Sequence, residues 1–275
     1  MSESRKETES VRYPRPGFMD VTISLFMWSF MLLITTIFIP WSIASILCFP
    51  LFDPHRKLQL IIHRTWCNWV AKIYPKWKYT HSGFDKLKKG QNYVVMSNHQ
   101  SFADILLLSF LPITFRWTAK RAVFMVPLFG WQFWLGGHLS IVRGSEKSRR
   151  NFMKRAVRSL RSGISVLIFP EGTRSRTGEI GPFKAGGFVM AVRSGTPILP
   201  LVISGSSDAL PKKSWVMIKK TYPVVRALDP IETKDKTEED VAGMMKELRE
   251  RMIEAKKQTD AESARLFKQW TGTGK

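Results

Sequence analysis

The sequence feature that most limits the fold is a long run without charge near the amino terminus. From Val21 to Phe52 the chain contains no Asp, Glu, Lys or Arg. A helix needs about 20 apolar residues to cross the hydrocarbon core of a bilayer, and this run is longer. It is also longer than the apolar core of a signal peptide, which has about 7–15 residues. The run therefore predicts contact with a membrane rather than a buried helix of a soluble core.

The same run leaves two arrangements in the membrane open. It is too short for two full spans, so it forms either one tilted span or a helical hairpin that bends at Pro40. Basic residues flank it on both sides, among them Arg15 before it and Arg56 after it. Because basic flanks tend to stay in the cytoplasm, we expect the hairpin, with both flanks on the cytoplasmic side.

A second segment, residues 56–73, mixes apolar and basic residues at helical spacing. Trp66, Trp69 and Lys72 suit a helix that lies on lipid. The same pattern suits an amphipathic helix packed against the domain, and both interpretations stay open. His63 and Cys67 are four residues apart in it, which is too few ligands for a metal, so we interpret them as packing or surface residues.

From about residue 90 the pattern alternates between strands and helices. Runs typical of strands lie at 93–96, 113–118, 139–142, 164–169 and 198–203, and helical patterns lie at 102–111, 146–162, 184–194 and 237–257. Alternation of this kind predicts an α/β fold with a largely parallel sheet flanked by helices. This domain would be preceded by a membrane-embedded N-terminal helical segment.

A histidine and an aspartate stand at the seam between two apolar runs. Residues 94–96 end one run and residues 105–108 begin the next, with His99 and Asp104 between them. Ser101 followed by Asp104 resembles a helix-capping signal, which puts His99 in a strand-to-helix loop at the ligand-binding edge of the sheet. Asp104 can accept a hydrogen bond from one ring nitrogen and leave the other basic. The pair predicts a two-residue general base, although it also suits a helix cap beside an ordinary loop histidine.

Cationic residues follow in loops expected at the same edge. FPEGTRS at 169–175 comes after an apolar strand, and its Arg174 can form two hydrogen bonds with phosphate oxygens. Gly172 in this loop permits a close backbone approach. Each cation alone is ordinary, but with a base and a membrane segment they form a coherent site. The other cations of this predicted site are Lys120, Arg121 and Lys184.

Five sequence blocks then carry a resemblance. In order they are NHQSFAD, AKRAVFMVPLFGW, FPEGTRSR, GPFKAGGF and TPILPL, all within about residues 90–210. At these spacings the chain resembles the glycerolipid acyltransferase family, and within it the 1-acyl-sn-glycerol-3-phosphate (lysophosphatidic acid) acyltransferases. A membrane-associated N-terminus is typical of that subfamily. A further block, GGHLSIVRG, departs from the family pattern: it has Ile-Val before Arg143, where many members carry an aspartate. The segment after about residue 210 matches nothing diagnostic.

The resemblance implies direct transfer of a fatty acyl group from a thioester to the sn-2 hydroxyl of 1-acyl-glycerol-3-phosphate, giving phosphatidic acid. His99 would deprotonate the hydroxyl and Asp104 would orient the ring, with no cofactor and no metal. The absence of a G-x-S-x-G motif from the sequence agrees with a route that has no acyl-enzyme. The substrate-binding residues that the resemblance implies are Lys120, Arg121, Arg143, Glu171, Gly172, Thr173, Arg174 and Lys184.

The resemblance also implies an organisation and a location. We expect a disordered tail at 1–16, a membrane-anchoring helical segment at 17–75, an acyltransferase domain at 76–260 and a tail at 261–275. The implied location is the bacterial inner membrane, with the catalytic domain on the cytoplasmic face. The implied partners are a thioester of acyl carrier protein or coenzyme A, lysophosphatidic acid, and anionic membrane lipids.

Charge keeps two alternatives open. Lys and Arg number 43 against 22 Asp and Glu, and a net charge of +21 favours an anionic partner. Residues 143–163 concentrate this charge beside an apolar stripe, which suits a solvated helix or a docking surface for anionic lipid or an acidic carrier protein. No nucleic-acid motif accompanies it, so we expect no nucleic-acid partner. The acceptor could instead be a lysophospholipid or lyso-ornithine lipid, and the non-enzymatic alternative is a basic membrane-surface protein.

Overall fold

A long apolar helix opens the computed structural model, which describes residues 17–142, 144–175, 177–207, 209, 215–217 and 219–273. This helix, α1, spans Phe18–Cys48 and contains Pro40 in its interior. It is the one helix among the described residues that is long and apolar enough to cross a membrane. The N-terminal apolar helix that the sequence predicted is therefore confirmed. The sequence did not predict that this helix would continue through Pro40 without a break.

The predicted α/β fold with a largely parallel sheet is confirmed. The strands are β1 (Thr80–Ser82), β2 (Val94–Ser97), β3 (Phe115–Lys120), β4 (Leu139–Ile141), β5 (Ser165–Ile168), β6 (Ile198–Ser204) and β7 (Val224–Ala227). They form one sheet in the order β1-β7-β6-β2-β5-β3-β4. Only β6 and β7 pair antiparallel; the other neighbours run parallel. β2 therefore lies at the centre, between β5 and β6.

Helices cover both faces of this sheet. They are α2 (Lys57–Ile73), α3 (Ala103–Leu108), α4 (Arg121–Phe124), α5 (Phe129–Leu135), α6 (Glu146–Arg161), α7 (Gly186–Ser194) and α8 (Val241–Thr271). On one face, apolar residues of α6, α7 and α8 pack with Val94, Met96 and Val166 of the sheet. On the other face, residues of α3 and α5 pack with Val95 and Leu167. Alternating strand residues thus enter opposite cores, as the period of two requires.

A third cluster adds a layer outside α3. Met27, Met31 and Ile34 of α1 pack against Trp66 and Val70 of α2, and the cluster continues to α3. The layers therefore run from α6, α7 and α8 through the sheet to α3 and α5, and then to α2 and α1. This order puts α1 and α6 on opposite sides of the sheet.

The hairpin that the sequence predicted within residues 21–52 is wrong in its position. α1 continues through Pro40, and the chain reverses after Cys48, before α2 begins at Lys57. A proline removes one backbone donor, but apolar helices tolerate it when neighbouring groups compensate. Here Ser42, two residues further on, bonds the carbonyl of Phe38 at 2.8 Å and Gln132 of α5 at 2.9 Å, which holds the helix on the domain.

Both ends of α1 contact the rest of the protein. Near its start, Asp20 forms an ion pair with Lys76, and the Ser24 hydroxyl accepts the N–H of Met217 at 2.9 Å. Near its end, Ser42 bonds Gln132 of α5. With a rise of about 1.5 Å per residue these contacts lie tens of ångströms apart, so α1 lies along the domain rather than projecting from it.

Helix α2 packs against the domain, the second of its two predicted interpretations. His63, Trp66 and Cys67 are buried, as expected of packing residues, while Trp69 stays half exposed. Its buried face contacts α1 and α3, and its exposed face continues the apolar surface of α1.

The carboxyl-terminal part differs from the sequence prediction in two ways. The helix predicted at 237–257 continues to Thr271. The prediction ended too early because the apolar stripe stops there, and small polar side chains such as Thr259 and Ser263 are buried in its place. Strand β1 at the sheet edge and its neighbour β7 were not predicted, since THS contains no apolar residue and VVRA is interrupted by Arg226. The division of the chain at residues 17, 76 and 261 stays a prediction, and the predicted tail 1–16 lies outside the described residues.

Candidate active site

Two neighbouring strands bring the predicted site together. β2 and β5 pair in parallel, with Met96 beside Ile168, so their carboxyl ends leave the sheet side by side. The loop after β2 carries His99, and the loop after β5 carries residues 169–175. The backbone N–H of Ser175 donates to the carbonyl of His99 at 2.8 Å, which joins the two loops directly. This is the edge at which open α/β sheets bind ligands.

His99 and Asp104 form the hydrogen bond that the sequence predicted. The His99 Nδ1 atom lies 2.8 Å from Asp104 Oδ2. The same oxygen accepts the backbone N–H groups of Gln100 at 2.7 Å and Ser101 at 2.9 Å, so the carboxylate is held before it meets the ring. The Asp104 side chain is fully buried, and the His99 side chain is 17% exposed. Because Nδ1 is the donor, Nε2 is left as the basic nitrogen.

A phenylalanine fixes the plane of the histidine ring. Phe169 stacks on His99 with ring centroids 3.9 Å apart and an angle of 12° between the planes. The Asp104 hydrogen bond fixes one edge of the ring and the stack fixes its face. Together they leave rotation about Cα–Cβ little freedom, so Nε2 points in a defined direction.

Glu171 ties the two loops to a third one. Its Oε1 accepts the backbone N–H of His99 at 3.2 Å, and its Oε2 accepts that of Gly181 at 3.0 Å. Burial raises the pKa of Glu171, while these two hydrogen bonds act in the opposite direction. Both carboxylate oxygens are thus occupied by backbone donors, which makes Glu171 a positioning residue in this geometry.

Gly172 and Lys184 form a close pair beside Glu171. Gly172 has a φ of +71°, a conformation that favours glycine, and a Cβ atom there would lie 3.0 Å from Lys184 Nζ. The backbone N–H of Lys184 donates to the carbonyl of Pro170 at 2.9 Å, which anchors the residue at this edge. The exposed ammonium group of Lys184 therefore lies over the loop that contains Glu171.

The other predicted site residues that the structure describes lie at or near the same sheet edge. Thr173 and Arg174 lie in the loop bonded to His99, with Thr173 exposed and Arg174 half buried. Lys120 ends β3 and Arg121 begins α4, so both are exposed at the same sheet edge, two strands from β2. Arg143 lies outside the described residues. Within the described ranges, no cluster of three or more His, Cys, Asp or Glu is arranged for a metal.

Two residues of the site were missed by the sequence prediction. Phe169 begins the FPEGTRS segment, but its contact with His99 depends on the pairing of β2 with β5. Arg249 of α8 donates to the carbonyls of Ile180 at 2.8 Å and Gly181 at 2.9 Å, and so supports the loop that holds Glu171. Aromatic character next to a strand end was a usable signal for Phe169, whereas no local pattern pointed to Arg249.

Comparison with known proteins identifies the family of the chain. Residues 78–204 match a family model described as Acyltransferase. The chain is 31% identical over 202 residues to the 1-acyl-sn-glycerol-3-phosphate acyltransferase of Pseudomonas aeruginosa, covering 71% of this chain and 77% of that protein. It is 36% identical over 166 residues to a chloroplastic 1-acyl-sn-glycerol-3-phosphate acyltransferase of Arabidopsis thaliana, covering 60% of this chain and 46% of that protein. The fold and the match of residues 78–204 to the family model define an acyltransferase-type domain.

A solved structure shares the fold. The crystal structure of the 1-acyl-sn-glycerophosphate acyltransferase of Thermotoga maritima has a TM-score of 0.72 and 22% identity, and covers 87% of this chain and 96% of that one. The chain belongs to the 1-acyl-sn-glycerol-3-phosphate acyltransferase family, as the sequence resemblance indicated. It spans about half the length of the chloroplastic relatives that it matches, 46% and 48% of them.

Proposed function

We propose that the protein transfers a fatty acyl group from a thioester to the sn-2 hydroxyl of 1-acyl-glycerol-3-phosphate, forming phosphatidic acid. The observation that carries this proposal is the His99–Asp104 pair, ordered by backbone donors and by the Phe169 stack, at the carboxyl edge of the sheet. The names of the relatives support the choice of acceptor.

The geometry supports a direct transfer. His99 Nε2 removes the proton of the acceptor hydroxyl, and Asp104 stabilises the imidazolium through Nδ1–H. The acceptor oxygen attacks the carbonyl carbon of the thioester and forms the new ester bond. The C–S bond then breaks, and the leaving thiolate takes the proton back from Nε2. The donor thioester supplies the acyl group, so the step is balanced without an acyl-enzyme.

The acceptor phosphate would lie among the cations of the same edge. Lys184 lies over Gly172, and Arg174 follows in the same loop. Arginine can bind two phosphate oxygens in parallel, whereas lysine acts as a single charge. The carboxylate of Glu171 faces the backbone instead, which keeps its charge directed away from the phosphate.

The membrane contact follows from the position of α1. Because both of its ends contact the domain, α1 cannot cross a bilayer unless the domain enters it too. We propose that α1 lies in one leaflet of the bacterial inner membrane, with the domain on the cytoplasmic face. Its outward residues are large and exposed, and include Phe18, Leu25, Phe26, Leu32, Leu33, Ile37, Trp41 and Leu47.

A second apolar surface continues this face toward the site. Met125 lies in the turn between α4 and α5 and is 74% exposed, and Trp134 of α5 is 68% exposed. The turn follows β3 after the single helical turn of α4, so it lies near the carboxyl edge of the sheet. Tryptophan favours the boundary between lipid and water, which supports a site that faces the lipid surface.

A product assay tests the proposed function. Purified protein in vesicles would receive palmitoyl-coenzyme A or palmitoyl-acyl carrier protein, together with lysophosphatidic acid or one of several other lyso-lipids. Mass spectrometry of the lipids should show phosphatidic acid as the main product. A preference for lysophosphatidylethanolamine or lyso-ornithine lipid would replace the proposed acceptor, and no acylated product with either donor would reject the enzyme assignment.

Arg174 provides a kinetic test of the acceptor site. Arg174→Ala should raise KM for lysophosphatidic acid by about ten- to a hundredfold, the loss of a charge-assisted hydrogen bond of about 1.5–3 kcal/mol. KM for the acyl donor should change much less. Arg174→Lys is the matched variant, and it should recover only part of the affinity because it cannot form two parallel bonds. Equal effects on both substrates would place Arg174 on the donor side or in the framework.

A further inference from the structure

A basic groove lies between α6 and α7, on the side of the sheet away from α1. Its volume is about 980 Å³. The half-buried side chains of Met153, Val157 and Val189 form an apolar floor and also contact the core beneath. Apart from Glu146 at one end, the charged residues of the walls are basic, and they are Arg149, Arg150, Lys154, Arg158, Arg161 and Arg193.

Part of this charge has no counterpart in the part of the chain that the structure describes. Among the described residues, the side chains of Arg149, Lys154 and Arg158 form no hydrogen bond or ion pair. On α8, by comparison, Arg251 pairs with Glu247 and Lys257 pairs with Glu254 on the same helix. On α6, Arg150 has such a partner in Glu146 at 4.0 Å, whereas Arg149, Lys154 and Arg158 have none among the described residues and lie beside an apolar floor.

The position of the groove separates two kinds of anionic partner. The residues that line it belong to helices packed on one face of the sheet, and α1 lies outside the helices of the other face. A membrane that contacts the exposed face of α1 is therefore on the opposite side of the protein. The groove faces the aqueous phase, so its occupant is a soluble partner rather than a lipid surface.

The groove also reaches the catalytic edge. α6 begins after the carboxyl end of β4, and α7 begins at Gly186, two residues after Lys184. Both helices therefore start at the edge that carries His99 and run away from it. A partner bound along the groove would have one end beside the site.

We propose that the α6–α7 groove docks an acidic amphipathic helix of the carrier protein that delivers the acyl thioester. This inference rests on the proposed function and specifies its donor. The acidic face of such a helix would meet the unpaired cations, and its apolar face would meet Met153, Val157 and Val189. A helix suits the dimensions, because the 16 residues of α6 extend over about 24 Å, more than the phosphates of coenzyme A alone require.

Charge reversal within the groove provides the test. The variant Lys154→Glu/Arg158→Glu would be compared with Lys234→Glu/Lys246→Glu, which makes the same change of net charge at exposed positions outside the groove. Each protein would be assayed with palmitoyl-acyl carrier protein and with palmitoyl-coenzyme A. The groove variant should raise KM for the carrier-protein donor by about tenfold or more, with the coenzyme A reaction unchanged. The control variant should resemble the wild type.

Direct binding separates this proposal from the proposed function. Palmitoyl-acyl carrier protein, immobilised on a sensor surface, should bind the wild type and the control variant in a salt-sensitive manner and the groove variant at least about tenfold more weakly. Equal binding by all three proteins, or equal KM changes in both variants, would overturn the groove. Failure to acylate lysophosphatidic acid with either donor would reject the proposed function, while the binding measurement would still decide on the groove.

Discussion

Two of the hydrogen-bonded histidine sites among the described residues have opposite properties. At the sheet edge, His99 bonds a carboxylate and keeps part of its ring exposed. Between α2 and β4, His138 Nε2 lies 2.7 Å from His63 Nδ1, and both rings are buried. His138 Nδ1 accepts the backbone N–H of Trp117 at 3.0 Å, which fixes its proton on Nε2. His63 then carries its proton on Nε2, which is buried and has no partner among the described residues.

The environment, rather than the imidazole, decides what each site can do. Burial lowers the pKa of His63 to about 4, and it lowers the pKa of His138 well below its usual value, with the neighbouring His63 and Arg116 adding to the effect. Both shifts favour the neutral form of this pair at neutral pH. The His99 site offers a carboxylate to stabilise an imidazolium and a ring edge that a substrate can reach. A histidine in this protein is thus suited to act as a base only where a carboxylate stabilises its charged form and a substrate can reach its ring.

The largest expected effect is the loss of activity when His99 is replaced, which would distinguish its site from the buried histidine pair. His99→Ala should reduce kcat by about 10²–10⁴-fold, because the proposed general base is lost. Its unfolding midpoint should stay close to that of the wild type, since the ring is partly exposed. Initial rates of phosphatidic acid formation and a thermal melt in the same detergent would measure both. Near-normal turnover in a folded His99→Ala protein would break the comparison.

Asp104→Asn should affect both activity and stability. The amide cannot serve as the charged partner of His99, so kcat should fall by about 10²-fold or more. The buried site also presents two backbone N–H donors, and an amide with its NH₂ group toward them would cost about 1–3 kcal/mol. Kinetics together with denaturant unfolding would measure the two losses. A stable but inactive Asp104→Asn protein would show that the backbone donors tolerate the amide.

The buried pair should behave in the reverse way. His138→Leu leaves the N–H of Trp117 and the Nδ1 atom of His63 without partners, which should lower the free energy of unfolding by about 1–3 kcal/mol. Turnover per folded molecule should not change. Denaturant unfolding and rates normalised to folded protein would measure this. A loss of kcat comparable to that of His99→Ala would assign the pair a part in the reaction.

The smallest effect is a dependence of stability on pH. The folded-state pKa of His63, about 4, lies below the unfolded value of 6.5, so the unfolded chain binds more protons between these values. The stability contributed by neutral His63 is therefore present above about pH 6.5 and is lost as the pH falls toward 4. Unfolding free energies at pH 7 and pH 5 should differ less in His63→Leu than in the wild type. An unchanged difference would show that other groups control the acid sensitivity.

The sequence predicted the part of the site that is local along the chain. His99 and Asp104 are five residues apart, so a strand-to-helix loop was enough to bring them together. The stack of Phe169 on His99 and the bonds of Glu171 depend on which strands become neighbours, and a parallel sheet sets this through long crossovers. Support from Arg249 comes from a helix whose sequence carries no catalytic pattern.

The same distinction holds for the fold. The uncharged run predicted an apolar helix, but the contacts that orient α1 come from Lys76, Gln132 and Met217, far away in the sequence. Pro40 suggested a bend on local grounds, and tertiary packing prevented it. Strand β1 and its neighbour β7 were missed because THS contains no apolar residue and the charged Arg226 interrupts VVRA, so neither forms an apolar run.

The attachment of α1 at both ends has a consequence for how a lipid substrate is found. A catalytic domain on a flexible tether would sample many heights above a membrane, whereas this one would be held at a fixed height and tilt. A lyso-lipid would then reach the sheet edge by lateral diffusion, a search in two dimensions. We therefore expect the rate to follow the mole fraction of acceptor in the vesicle surface rather than its bulk concentration. Diluting the acceptor with inert lipid at constant bulk concentration should slow the reaction.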